Sequence, residues 1–204
     1  MLSSIIILTV YFVVYAITHS WLVSASVKNW ARRIFGPAVD RWYRLGYNLI
    51  AIAALVPMLL MMVWLPSQTL YVAPPPWRWL MLAGQLLAVM AAGVSLWQTD
   101  PFYFAGLAQL VAKKPAKSGS LKVNGFYAWV RHPLYSFSLV FLWLTPAMTS
   151  NTLTAYILFT LYFYVGSIYE ERRLIAEFGA SYEAYRRQVP RLIPRPGRRY
   201  ELPP

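Results

Sequence analysis

Two short stretches hold most of the side chains in this sequence that could do chemistry. The first reads Asn124-Gly125-Phe126-Tyr127-Ala128-Trp129-Val130-Arg131-His132-Pro133-Leu134-Tyr135. The second begins Glu170-Glu171-Arg172-Arg173-Leu174 and continues through Phe178-Gly179, Tyr182, Tyr185 and Val189-Pro190. Pro133 suits the first turn of a helix, where no amide partner is lost. It holds His132 extended, so Arg131 and His132 can face a pocket. Gly125 permits a tight turn or a close approach to a ligand. Taken singly, these residues have plain explanations. Arg131 can snorkel as a topology marker, His132 can be structural, and Glu170-Glu171-Arg172-Arg173 can be a wet helix end. Glu170 resists that treatment, because it closes an apolar run where an acid has no topological reason to be.

The residues between the two stretches are apolar, which turns attention to the elements that position them. Of 204 residues 58% are apolar and 13% charged, too greasy for an ordinary soluble domain. Five apolar segments can be read: about Ser4–Val27, Leu45–Leu65, Trp79–Trp97, Leu134–Met148 and Leu153–Tyr169. The first three are long enough to cross a bilayer. The last two are short and read as a tight helical hairpin turning at Thr149-Ser150-Asn151. The expected fold is therefore all-α and polytopic, one membrane domain over 1–204. It divides into three spans (1–97), an interfacial connector (98–133), a hairpin (134–169) and a C-terminal helix with a basic tail (170–204). No Lys or Arg precedes Lys28, so the first segment reads as a retained helix and not a signal peptide.

The basic residues alternate with the spans. Of 19 Lys and Arg, all but Arg78 fall after spans one, three or five. The positive-inside rule makes those segments cytoplasmic, with the N-terminus outside and the C-terminus inside. The two chemical stretches then meet at the inner face. The net charge of +12 flanks apolar spans, which argues for lipid headgroups and against nucleic acid. Asp100-Pro101 reads as a helix start and Phe102–Ala112 as one interfacial helix stopped by Lys113-Lys114-Pro115. Pro74-Pro75-Pro76 reads as a stiff extended outer loop. Gly179 reads as a helix end, and Ser181 as the cap of a short helix to Gln188. Arg191, Arg195, Arg198 and Arg199 are expected at anionic headgroups. Cysteine is absent and the histidines are His19 and His132 alone, so thiolate chemistry, disulfides and a histidine metal cluster are excluded. His19, late in span one, reads as a packing residue or a pocket wall.

The run Gly125–Tyr135, an apolar hairpin, then Glu170-Glu171-Arg-Arg-Leu174, Phe178-Gly179 and Tyr182-x-x-Tyr185 closely resemble the isoprenylcysteine carboxyl methyltransferase and phospholipid methyltransferase superfamily. The match covers about Val123 to Pro194. The Arg-His-Pro form is more similar to the isoprenylcysteine type. Thr18-His19-Ser20, Tyr43-Arg44-x-x-Tyr47-Asn48 and Phe104-x-Gly106-Leu107-x-Gln109 more loosely resemble short bacterial members, including those that methylate small thiols. The resemblance implies an S-adenosylmethionine-dependent methyltransferase acting on a lipophilic or small membrane-permeant acceptor, in a bacterial inner membrane. It implies that Gly125, Tyr127, Trp129, Val130, Arg131, His132, Pro133, Tyr135, Glu170 and Glu171 form the cofactor site. Arg131 would hold the cofactor's carboxylate, or a substrate carboxylate. Glu170 or Glu171 would accept from its ammonium or ribose, and Tyr127, Trp129 and Tyr135 would offer aromatic faces. Arg131 and Glu171 are the expected catalytic residues, Glu171 as acceptor of a proton from a neutral thiol or amine.

Two rival classes follow from the same residues: a non-enzymatic membrane scaffold that keeps this fold, and a transporter. No internal repeat and no mid-span charge support the latter. The orientation has its own check. Because the chain lacks cysteine, single cysteines can be introduced cleanly. A cysteine at Gln68 should react with an impermeant maleimide on intact cells, and one at Arg41 should not. The reverse labelling would invert the topology.

Overall fold

The computed structural model describes residues 1–111 and 120–195. The expected stop at Lys113-Lys114-Pro115, together with Lys117, Pro196, Arg198 and Arg199, lies outside them. The described chain is mostly helical. Four helices are long and apolar enough to cross a membrane: α1 (Leu2–Val23), α3 (Val39–Trp64), α4 (Trp77–Gln98) and α8 (Ser150–Phe178). At about 1.5 Å per residue, even the 22 residues of α1 span about 33 Å, enough for a hydrocarbon core of about 30 Å. Only 6–17% of each apolar window is buried inside the protein. Side chains such as Val10, Leu59, Leu86 and Leu161 point outward. Water would punish that exposure, and lipid does not.

The segment expected as a fourth span behaves differently. Its helix, α7 (Pro133–Trp143), has 11 residues, about 16 Å of rise. The turn is not at Thr149–Asn151, because α8 already begins at Ser150. Beyond α7 the chain runs extended into a short strand β2 (Ala147–Thr149), paired with β1 (Thr69–Val72). Pro146 lacks an amide to continue a helix, and its carbonyl accepts from the amide of Ala73 at 2.7 Å. The Tyr71 hydroxyl donates to the carbonyl of Thr145 at 2.7 Å. These bonds satisfy carbonyls that a helix would otherwise have used.

The chain forms two compact units. One comprises Met1–Leu70, Asp100–Gly119 and Thr149–Leu158. In it Ser24 ends α1 and caps α2 (Ala25–Phe35), accepting from the amide of Val27 at 3.4 Å. The loop expected after the first span is thus largely an amphipathic helix. Its Lys28 and Arg32 reach Asp40 on α3 at 3.1 and 3.4 Å. Asp100 does cap a helix, accepting from the amide of Tyr103 at 3.0 Å. The single helix expected over Phe102–Ala112 is broken into α5 (Pro101–Ala105) and α6 (Leu107–Val111). Gly106 between them has φ +92°, and a Cβ there would sit 2.5 Å from the amide nitrogen of Leu45. Glycine lets this elbow lie directly on α3. Arg44 donates to the carbonyl of Tyr103 at 3.1 Å, and Asn48 to those of Phe104 and Ala105 at 3.2 and 3.0 Å. Arg44, Asn48, Gly106 and Gln109, four of the N-terminal residues behind the looser likeness, therefore dock the connector. His19 stacks on Tyr15 at 5.8 Å and lines an apolar cavity of about 120 Å³ between α1 and α3.

The other unit comprises Tyr71–Thr99, Ser120–Met148 and Phe159–Pro204. It packs α4 against α7 and ends in α9 (Ala180–Gln188). Gly179, φ +54°, separates α8 from α9 and stands where Ser181 was expected to cap. The buried residues Val123, Tyr182, Tyr185 and Val189 form a core that holds the segment after α9.

Gly106→Ala should lower stability by about 2 kcal/mol or more, through left-handed strain and the clash with Leu45. Gly46→Ala, where a Cβ meets nothing within 4 Å, should be neutral or slightly stabilising. Thermal unfolding of both variants in detergent checks this, and equal midpoints would remove the close approach.

Candidate active site

Everything in the candidate site belongs to the second unit. Its centre is the carboxylate of Glu171, 2% exposed and two turns before the end of α8. The start of α7 supplies the first partners. Pro133 occupies the first helical position, so His132 becomes the N-cap residue, with φ −125° and ψ 66°. This turns Arg131 and His132 back toward α8. Arg131 donates from Nε and Nη2 to Glu171 Oε1 at 2.9 and 2.8 Å. His132 Nε2 lies 3.2 Å from the same oxygen, and its Nδ1 lies 3.4 Å from Glu170 Oε2.

A third basic side chain closes the clasp. Pro190 ends the helical run and the chain doubles back as a strap, Val189–Leu192. Arg191 on this strap donates from Nε to Glu171 Oε1 and from Nη2 to Oε2, each at 3.0 Å. The strap is also stitched by its backbone. The amides of Arg131 and His132 donate to the carbonyls of Pro190 and Arg191 at 2.9 and 3.1 Å. Ser136 Oγ donates to the carbonyl of Leu192 at 2.6 Å, and Arg131 Nη1 to those of Arg186 and Val189.

This arrangement decides what each candidate can do. Arg131 commits all but one of its N–H donors to Glu171 and two carbonyls, leaving little for a ligand's carboxylate. Glu171 is encircled by cations, which makes it a poor proton acceptor. Glu170 differs from its neighbour: its side chain is 34% exposed, and its one ion pair among the described residues is with His132. Burial opposes a charge on His132, but its hydrogen bonds to Glu170 and Glu171 outweigh that and raise its pKa. Tyr135 stacks on His132 at 5.4 Å and on Phe163 at 5.2 Å, fixing the imidazole plane.

The remaining candidates are dispersed around this cluster. Gly125, φ +63°, lets the Gln98 amide pack where a Cβ would stand, and Gln98 Oε1 accepts from the amide of Phe126 at 3.3 Å. Burial pushes the Tyr127 hydroxyl up to about 12, against a hydrogen bond with Thr99, so it stays neutral. The carbonyl of Tyr127 accepts from Tyr185. Val130 is buried, whereas Trp129 presents an exposed face. No group of three or more metal-ligating side chains occurs among the described residues. The reading of the sequence missed Arg191, placing it with the headgroup-facing tail. It also left Ser136 and Gln98 unremarked. Pro190 was the one signal that the chain reverses and could return an arginine to α8.

A polytopic helical protein with a charged clasp at one end of its helices is thus the class that fold and site define. The relatives make it specific. The chain is 35% identical over 190 residues, 89% of its length and 70% of the other's, to a methanethiol S-methyltransferase of Bradyrhizobium diazoefficiens. It is 33% identical to one of Mycobacterium tuberculosis, over 91% of this chain and 76% of that one. A protein-S-isoprenylcysteine O-methyltransferase of Schizosaccharomyces pombe matches at 39% over 90 residues, 42% of this chain and 37% of its own. No family model and no solved structure matches. The chain belongs to the isoprenylcysteine carboxyl methyltransferase-like superfamily of membrane methyltransferases, and it is a methyltransferase.

Glu171→Gln should cost about 3 kcal/mol or more, because it leaves two arginines facing a neutral amide. His132 adds a pH signature. Its folded pKa is raised, so its ion-pair contribution is full below the unfolded value of about 6.5 and fades as pH rises through the folded pKa. His132→Gln should therefore flatten the loss of thermal stability on the alkaline side of pH 6.5. An unchanged slope would place His132 outside the clasp's charge balance.

Proposed function

We propose that the protein transfers the methyl group of S-adenosylmethionine to a small neutral thiol, at the cytoplasmic side of a bacterial plasma membrane. The observation that carries the site is the pair of adjacent glutamates with unequal roles. Glu171 locks the fold, and Glu170, next to it, keeps a partly open carboxylate facing His132. The names of the relatives support the acceptor, since several are methanethiol S-methyltransferases. The basic segments flanking the spans support the orientation. A half-length α7 followed by extended chain makes up the fourth of five crossings.

The residues fit such a cofactor by the chemistry of their donors and acceptors. Glu170 would accept from the ammonium, and the exposed Trp129 face suits adenine or a sulfonium cation. Val130 and Pro133 shape the loop from beneath, and Tyr127 and Tyr135 wall it. When bound, the cofactor supplies an electrophilic methyl attached to a sulfonium. The protein's part is to align the acceptor sulfur and to exclude water, worth up to about 7–11 kcal/mol in well-oriented reactions. A neutral thiol must also lose its proton. Glu170, the more open carboxylate, is better suited to that than Glu171. Arg131 and Arg191 act through Glu171 as positioning residues.

Calorimetry with S-adenosylhomocysteine on folded protein should detect saturable binding to wild type. Glu170→Gln should keep the thermal midpoint within a few degrees while reducing methylation of methanethiol by about a hundredfold or more. Full activity in Glu170→Gln would remove it from the chemistry, and absence of binding by wild type would sink the cofactor reading.

A further inference from the structure

Behind the clasp lies a cleft of about 410 Å³ that the methyl-transfer reading does not use. Arg131, Arg186, Arg187, Arg191 and Arg195 line it. The single carboxylate of Glu171 pairs with both Arg131 and Arg191. No ion pair among the described residues involves Arg186, Arg187 or Arg195. Three arginines thus line the cleft with no carboxylate paired to them among the described residues, a strong attraction for a phosphate. The setting selects a lipid. Tyr164, another wall of the cleft, is 51% exposed on the spanning helix α8, under the Arg191 guanidinium at 5.4 Å. Ile193, just past the Val189–Leu192 strap, is 80% exposed. Cations above an outward-facing ring and an exposed aliphatic chain match a headgroup joined to its acyl chains.

We propose that this cleft binds the phosphate of an anionic phospholipid headgroup. Arg187 sits at the end of α9 and Arg195 just past the strap. A phosphate shared by both grips the Val189–Leu192 strap at each end. That strap carries the backbone bonds to Arg131 and His132, and Arg191 reaches Glu171 from it. A bound lipid thereby tightens the clasp. This coupling, unlike the lipid binding itself, rests on the proposed cofactor site.

The test uses the full-length protein in nanodiscs of phosphatidylcholine, with and without phosphatidylglycerol. Native mass spectrometry should find phosphatidylglycerol retained by wild type and by Arg187→Lys/Arg195→Lys, and lost from Arg187→Gln/Arg195→Gln. Wild type should bind S-adenosylhomocysteine several-fold more tightly with phosphatidylglycerol present, and the Gln variant should show no such difference. Equal retention by wild type and the Gln variant overturns the site. Displacement of the lipid by millimolar inorganic phosphate, with the same gain in affinity, overturns the lipid assignment in favour of a free-phosphate site. If wild type binds no S-adenosylhomocysteine in any disc, the cofactor reading falls while the retained-lipid count still decides this proposal.

Discussion

A carboxylate removed from water near a membrane is costly, by several kcal/mol even after relaxation, unless cations and hydrogen bonds replace the lost solvent. Glu171 meets that constraint with two arginines and a histidine drawn from two other segments. Arg131 and His132 come from the entry to α7, and Arg191 from the strap after α9. Each partner needs the others. Without the strap, Arg131 loses the Val189 carbonyl as an acceptor; without Glu171, the guanidiniums of Arg131 and Arg191 repel one another. The result is a cooperative closure of the end of α8 that the apolar packing of the spans could not specify, because lipid contacts are as greasy as helix contacts.

Closure of this kind gives neighbouring residues unequal surroundings. Glu170 and Glu171 are identical in type and adjacent in sequence, yet a helix turns successive side chains by about 100°. One therefore faces the arginines and the other the imidazole and the open side. His132 links them with its two nitrogens. Burial of the Tyr127 hydroxyl and the stack of Tyr135 on His132 hold the surroundings neutral and stiff. Under the methyl transfer proposed above, an acceptor would gain from the alignment such a setting imposes.

Arginine serves two different ends in this chain. Residues such as Arg32 and Arg172 stay exposed beside spans, where the membrane's charge asymmetry suffices to explain them. Arg44, Arg131 and Arg191 turn inward onto carbonyls, rings and a carboxylate. The guanidinium can do both because it is planar, always charged and less strongly hydrated than an ammonium. Composition alone cannot distinguish the two uses.

What the sequence determined by itself follows from local physics. The long spans were legible from runs of apolar residues, because lipid demands apolar length and little else. The helix starts at Asp100 and Pro133 were legible because capping and proline geometry act within one turn. The pair Glu170-Glu171 stood out because an acid closing an apolar run has no topological reason to be there, and Arg131-His132-Pro133 because the proline holds the preceding residue extended. Only the tertiary structure decided the rest. It shortened α7 by pairing Thr145 with Tyr71 of β1 and Pro146 with Ala73 just after it, and it broke the connector at Gly106 against Leu45. It also brought Arg191 back to Glu171 across 20 positions of sequence. Those outcomes depend on partners distant along the chain, and no local propensity encodes which arginine a buried carboxylate will recruit.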